Sequence, residues 1–211
     1  MNQIKSVSLK KCTCFNENSL EIAPLTVLTG LNCSGKTTIL NEIASQNDNV
    51  KCYKWLGISF FIDGIESNEG DILLFEQPEA GLHPVMQLNL ADSLLDLMSN
   101  GRVIVVETHS DHMVNRLCRR YMEDENIRDK IKIYFIDKDN SGNSIVTKVD
   151  IDDVDGAICE NENFFYQFGS EIERIIDIGY KNKMRNHNIS PSNIEKIEIA
   201  KEIYEEKIYG R

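Results

Sequence analysis

Long apolar runs are missing from this chain. None of its 211 residues lies in a run that approaches membrane-spanning length. The opening Met1-Asn2-Gln3-Ile4-Lys5 lacks the apolar core of a secretion signal. Positive charge is also scarce: 23 Lys and Arg stand against 34 Asp and Glu, a formal net charge of -11. Such a balance disfavours tight non-specific binding to a nucleic-acid backbone, which needs concentrated cations. Two small basic groups remain, Arg116 with Arg119 and Arg120, and Lys181 with Lys183 and Arg185; both read as solvated helix surface. The six cysteines (Cys12, Cys14, Cys33, Cys52, Cys118 and Cys159) are scattered and form no disulfide framework. Cys12-Thr13-Cys14 has no second pair to complete a metal site, and alternation on an early strand accounts for it. Internal repeats and low-complexity linkers are absent from the sequence. The expectation is a soluble, cytoplasmic protein with reduced thiols, long enough for one well-buried α/β domain.

The densest signal present is Gly30-Leu31-Asn32-Cys33-Ser34-Gly35-Lys36-Thr37, a complete phosphate-binding loop. It follows the apolar run Leu25-Thr26-Val27-Leu28 and leads into Thr38 to Ile43, which reads as a helix. Gly30 and Gly35 let the backbone curl so that successive N–H groups converge on one anion, and the helix N-terminus adds a dipole of the right sign. Lys36 would reach the β- and γ-phosphates, and the Thr37 hydroxyl would ligate Mg²⁺. The expected ligand is ATP with Mg²⁺, held by Gly30, Asn32, Cys33, Ser34, Gly35, Lys36, Thr37 and Thr38.

Around this loop the elements alternate. Ile4 to Leu9 and Ser19 to Ile22 read as strands joined by a turn at Asn16-Glu17-Asn18. After the loop helix, which ends near Asn47, Val50 to Tyr53 is a short strand and Gly57 to Ile65 is expected to be helical. Asp71 to Phe75 is a buried parallel strand. Pro84 starts a helix running to about Met98, and Arg102 to Val106 is the next strand. A helix from Ser110 to Tyr121 precedes the strand Ile131 to Ile136, and Asp139 to Asn143 turns the chain into Ser144 to Val149. Strands alternating with helices predict a largely parallel sheet covered on both faces. Ser192-Asn193-Ile194-Glu195 has the form of a capping box, followed by an apolar stripe through Ile208 at helical spacing.

Two further strands end in polar tips. Ile72-Leu73-Leu74-Phe75-Glu76 carries an acid at the point where a phosphate-loop protein supports Mg²⁺, so Glu76 joins Thr37 as the metal pair. Val103-Ile104-Val105-Val106 ends in Glu107-Thr108-His109-Ser110, at the sheet edge where ligands of open parallel sheets bind. His109 is therefore the candidate γ-phosphate sensor. A metal pair of His109 with His112 has no evident third ligand.

Taken together, these motifs resemble the ABC-type ATPases, in particular the branch related to the OLD-family and SMC-like ATPases. Residues 25–38 are similar to their phosphate loop, Glu76-Gln77-Pro78-Glu79-Ala80-Gly81-Leu82-His83-Pro84 to their Walker B and D-loop run, and residues 107–112 to their switch-histidine segment. The tail, through Ile131 to Ile136, Val149-Asp150, Asp155-Gly156 and Phe164-Phe165, is similar to bacterial AAA-family predicted ATPases with a short tail domain. The resemblance implies a P-loop NTPase core over 1–168 and does not reach 169–211, which the capping box and apolar stripe make a helical extension. It implies that Lys36 and Thr37 bind phosphate and metal, that Glu76 supports Mg²⁺, that His109 is the switch, and that Gly81, Leu82 and His83 face a second subunit. Gly57-Ile58-Ser59 is similar to a remnant of the signature sequence.

Two departures shape the expected activity. The stretch from Lys36 to Glu76 is too short for the glutamine loop and helical subdomain of full-length relatives, and Gln46 follows the loop too closely to replace that glutamine. At the place of the catalytic glutamate stands Gln77, whose amide can orient water but cannot take its proton. The expectation is slow ATP hydrolysis, with Gln77, Glu79 and His109 as the catalytic group, in a homodimer that switches an effector partner such as a nuclease. Nucleic acid would be reached only through that partner, and no membrane is involved. In relatives such switches serve antiviral or foreign-DNA defence. A catalytically weak nucleotide-binding scaffold is the alternative, and a small phosphotransferase, using Arg116, Arg119 and Arg120, a third.

Overall fold

Runs of consecutive apolar residues need cover on both faces, and the strands built from them here receive it. The computed structural model describes residues 5–9, 15, 19–54, 65–152, 156–161 and 163–164, with the single positions 175, 178 and 179. The elements are β1 (Ser6–Ser8), β2 (Ser19–Glu21), β3 (Leu25–Gly30), α1 (Lys36–Gln46), β4 (Val50–Lys54), β5 (Ile72–Glu76) and α2 (Pro84–Ser99). They continue with β6 (Val103–Glu107), α3 (Asp111–Glu123), a short 3-10 helix (Glu125–Lys130), β7 (Ile131–Lys138), β8 (Ser144–Asp152) and β9 (Gly156–Ile158). The chain divides into two compact units, Met1–Phe164 and Phe165–Arg211, and these elements belong to the first. The Cys12-Thr13-Cys14 pair, residues 57–64 and the C-terminal helix expected after Ser192 lie outside the described residues.

Seven strands form one sheet in the order β4-β5-β6-β3-β7-β8-β9. From β4 to β7 every neighbour is parallel, whereas β8 and β9 add antiparallel pairs at one edge. This is the mostly parallel, helix-flanked α/β sheet expected from the sequence. The phosphate-loop strand β3 is flanked by β6 and β7, not by the acid-tipped β5. The C-terminal ends of β3, β5 and β6 lie side by side, with Glu76 beside Glu107 and Leu28 on the far side of Glu107.

Alternation along the strands divides the core. Leu28, Ile72, Leu74, Val103, Val105, Tyr134 and Ile136 pack with Ile39, Leu40 and Ile43 of α1 and with Val7, Leu9, Leu20 and Ile22 in and beside the antiparallel pair β1–β2. The intervening residues, among them Leu73, Phe75, Ile104 and Val106, point to the other face and are fully buried. The amphipathic pair α2 and α3 buries Leu90, Leu94, Met113 and Leu117. A buried leucine of this kind contributes roughly 1.5–3 kcal/mol, so both layers press the strand ends into fixed register.

Gln46 at the end of α1 exchanges two hydrogen bonds with the Ser8 backbone, 3.1 and 2.8 Å, extending the edge of β1. The basic group on α3 is not simply solvated surface: Arg116 and Arg120 both grip Asp92 of α2.

Candidate nucleotide-binding site

The turn from β3 into α1 is built from backbone that few side chains tolerate. Gly30, Cys33 and Gly35 all have positive φ, at 129°, 60° and 106°. A Cβ on Gly30 would sit 2.0 Å from the Ile136 carbonyl oxygen of β7, so only glycine lets the two strands approach there. A Cβ on Gly35 would meet Phe15 at 2.8 Å and the Ser144 hydroxyl at 2.9 Å. Phe15 thus backs the loop from inside the core.

Lys36 opens α1 and is 2% exposed. Its ammonium turns back on the loop, donating to the carbonyls of Gly30 (3.1 Å) and Leu31 (2.6 Å) and to the Ser34 hydroxyl (3.4 Å). Burial draws its pKa below the ordinary lysine value, and nearby negative charge, Glu107 foremost, opposes that. Ser34 is buried, Asn32 and Cys33 are exposed at the rim, and Thr37 and Thr38 are half-buried in the first turn of the helix. The turn therefore presents uncommitted helix-start N–H groups and one cation at a single point, the arrangement that suits a polyphosphate.

The opposing wall is formed by the tips of β5 and β6. Glu107 is 3% exposed, and its Oε2 accepts the Thr37 hydroxyl proton at 2.8 Å. Glu76 lies beside it, but its carboxylate is engaged by Lys54 at 2.9 Å. Gln77 sits in left-handed backbone, φ 48°, and its N–H donates to the Glu107 carbonyl at 2.9 Å. A non-glycine residue held there carries strain of about 1–3 kcal/mol.

Glu79 is 7% exposed. Its Oε1 accepts from the His109 backbone N–H at 2.7 Å, and its Oε2 is buried without a hydrogen-bond partner. An orphaned carboxylate oxygen costs about 1–3 kcal/mol or more, so its retention beside the loop is a sign of a missing donor. His109 is half-buried; burial first, then the Lys36 charge, hold its pKa below the ordinary histidine value. A neutral imidazole beside the loop follows, with a hydrogen bond to the Gly30 backbone favouring its charged form only in part. His112 turns away to its neighbour Asp111 and does not pair with His109. His83 caps α2, accepting from Val85 N–H at 3.3 Å, and Gly81 has φ 78°.

The donor set fits ATP and Mg²⁺. The Thr37 hydroxyl and the Glu76 carboxylate are hard oxygen groups of the kind Mg²⁺ takes, and these two would hold the ion beside the phosphates. When bound, the ion neutralises charge on the β- and γ-phosphates.

Comparison with known proteins points the same way. A family model described as the AAA ATPase domain matches residues 53–114, less than a third of the chain. That segment carries the tips of β5 and β6 and begins after the phosphate loop. A protein of Methanosarcina acetivorans, named as a candidate ABC transporter ATP-binding protein, is 40% identical over 50 residues. The matched stretch is 24% of this chain and 18% of that protein. Both matches support an ATPase core of the ABC or AAA type. Among the described residues of this core, no helix is long and apolar enough to cross a membrane.

Sequence reasoning missed two contributors to the ATPase core. Glu107 was visible as the acid closing an apolar strand, the same signal that singled out Glu76. Gln87 donates to the Leu82 carbonyl at 2.8 Å and accepts from the Ser110 hydroxyl at 2.5 Å, tying the segment after β5 to the start of α3. A lone glutamine on a helix gives no sequence signal of that link.

Proposed function

We propose that this chain is an ATP-binding, ABC-type ATPase core that hydrolyses ATP slowly, pairs with a second copy around nucleotide, and switches an effector partner. The observation that carries the reading is the convergence of Lys36, Thr37, Glu107 and the Glu79–His109 link on one glycine-built turn. Lys36 would exchange its loop acceptors for phosphate oxygens, and the loop N–H groups would hold the chain of phosphates in line. Among the described residues, Glu79 is the one acid whose buried oxygen has no hydrogen-bond partner, so it takes the role of water-orienting base while Gln77 positions the water through its amide. His109, fixed through Glu79, would report the γ-phosphate. Val85 and Met86, 57% and 46% exposed just beyond Gly81-Leu82-His83 and Pro84, support a contact face on that side. A nuclease-like partner and a role in antiviral defence rest on the family likeness alone.

The amide at position 77 favours a second reading, a nucleotide-binding scaffold with negligible turnover. The phosphotransferase reading loses its arginine lid, because Arg116 and Arg120 are committed to Asp92. Single-turnover release of phosphate from labelled ATP separates what remains. Slow release is expected, abolished by Lys36→Ala and cut about 10²–10⁴-fold by Glu79→Gln. Fast turnover that survives Glu79→Gln would refute the assignment of Glu79. Stable binding with no release favours the scaffold.

A further inference from the structure

Glu107 lies at a junction of the sheet. Its strand is the one that separates β3 from β5, so its backbone is held from both sides. The Gln77 N–H bonds its carbonyl at 2.9 Å, and the next residue, Thr108, donates its N–H to the Leu28 carbonyl at 3.0 Å. The side chain is almost wholly buried and reaches across seventy positions of sequence to Thr37. A threonine hydroxyl has one proton and two acceptor sites. With the proton given to Glu107, only lone pairs are left on the other side of the oxygen, which is what a hard cation requires. Glu76, the neighbouring acid, is turned toward Lys54 instead.

We propose that Glu107 is the positioning carboxylate of the metal site: it orients the Thr37 hydroxyl for a divalent cation bound with a nucleoside triphosphate, and its buried charge favours that cation. This rests on the nucleotide reading above and adds to it a residue with no role assigned there beyond proximity. A purely structural bond between α1 and β6 would stabilise the fold without distinguishing metal-bound from metal-free nucleotide.

The test is calorimetric binding of a non-hydrolysable ATP analogue to the full chain, with Mg²⁺ or with EDTA. In the wild type Mg²⁺ is expected to raise affinity. Glu107→Gln is expected to lose about tenfold or more of that increment while the affinity in EDTA stays within about threefold. Glu76→Gln is expected to lose less than Glu107→Gln. Titration of Mn²⁺ into each protein–nucleotide complex, followed by electron paramagnetic resonance, should give the same ranking. If Glu107→Gln does not fold, Glu107→Asp, one methylene too short to reach Thr37, should show the same loss. An unchanged increment in the Glu107 variant, an equal loss with and without metal, or a larger loss in Glu76→Gln overturns the proposal and leaves the nucleotide reading standing. A wild type that binds no analogue under either condition sinks both.

Discussion

Replacing Asp92 with asparagine should cost stability in a way that depends on pH, and the structure fixes both the size and the window. Asp92 of α2 accepts from Arg116 Nε and Nη2 at 3.0, 3.1 and 2.6 Å and from Arg120 Nε at 2.9 Å, both arginines lying on α3. Burial tends to raise its pKa, but the hydrogen bonds and charges of Arg116 and Arg120 outweigh that and bring it from 3.8 to about 2. The folded protein therefore favours the ionised form. The stabilisation is fully present above the unfolded value near 4 and is lost as pH falls through about 2. A shift of that size is worth up to about 2 kcal/mol, and screening at side chains 28% and 38% exposed lowers the expectation to about 1–2 kcal/mol. Asparagine mimics the protonated acid. Urea unfolding of wild type and Asp92→Asn should thus differ by about 1–2 kcal/mol between pH 5 and 7 and converge below pH 4. A gap that stays constant down to pH 2, or no gap at pH 7, would refute the clamp.

Two other substitutions probe the turn and its supports. Gly30→Ala forces a Cβ onto the Ile136 carbonyl at positive φ, and should destabilise the protein by about 2–5 kcal/mol and abolish nucleotide binding, as read by thermal unfolding and calorimetry. Gln87→Ala removes the link between Leu82 and Ser110; a loss of about 1–2 kcal/mol is expected, seen as a melting temperature lower by about 2–8 °C.

Much of this site was legible because its signals are local. Positive-φ glycines, an apolar strand and a helix start are all written within a dozen residues, and β3 and α1 fall where the motif requires. The strands at Ile72 and Val103 and the helix at Pro84 were equally plain, since apolar runs and a proline at the first helical turn are short-range features. Lateral order is not local. That β6 lies between β3 and β5 follows from long-range pairing, and it is what brings Glu107 and not Glu76 against Thr37. The commitment of Glu76 to Lys54 has the same origin, since β4 pairs β5 with Lys54 opposite Glu76. Side-chain choice among equivalent acids is decided by neighbours that sequence spacing does not order.

The most direct test of the whole account is titration of Mg²⁺–ATP into the purified chain beside its Lys36→Ala variant. Saturable binding at one site per chain, weakened at least about tenfold in the variant, is what a phosphate-gripping turn with a buried ammonium predicts. No measurable heat in the wild type, or equal binding by both proteins, would contradict it.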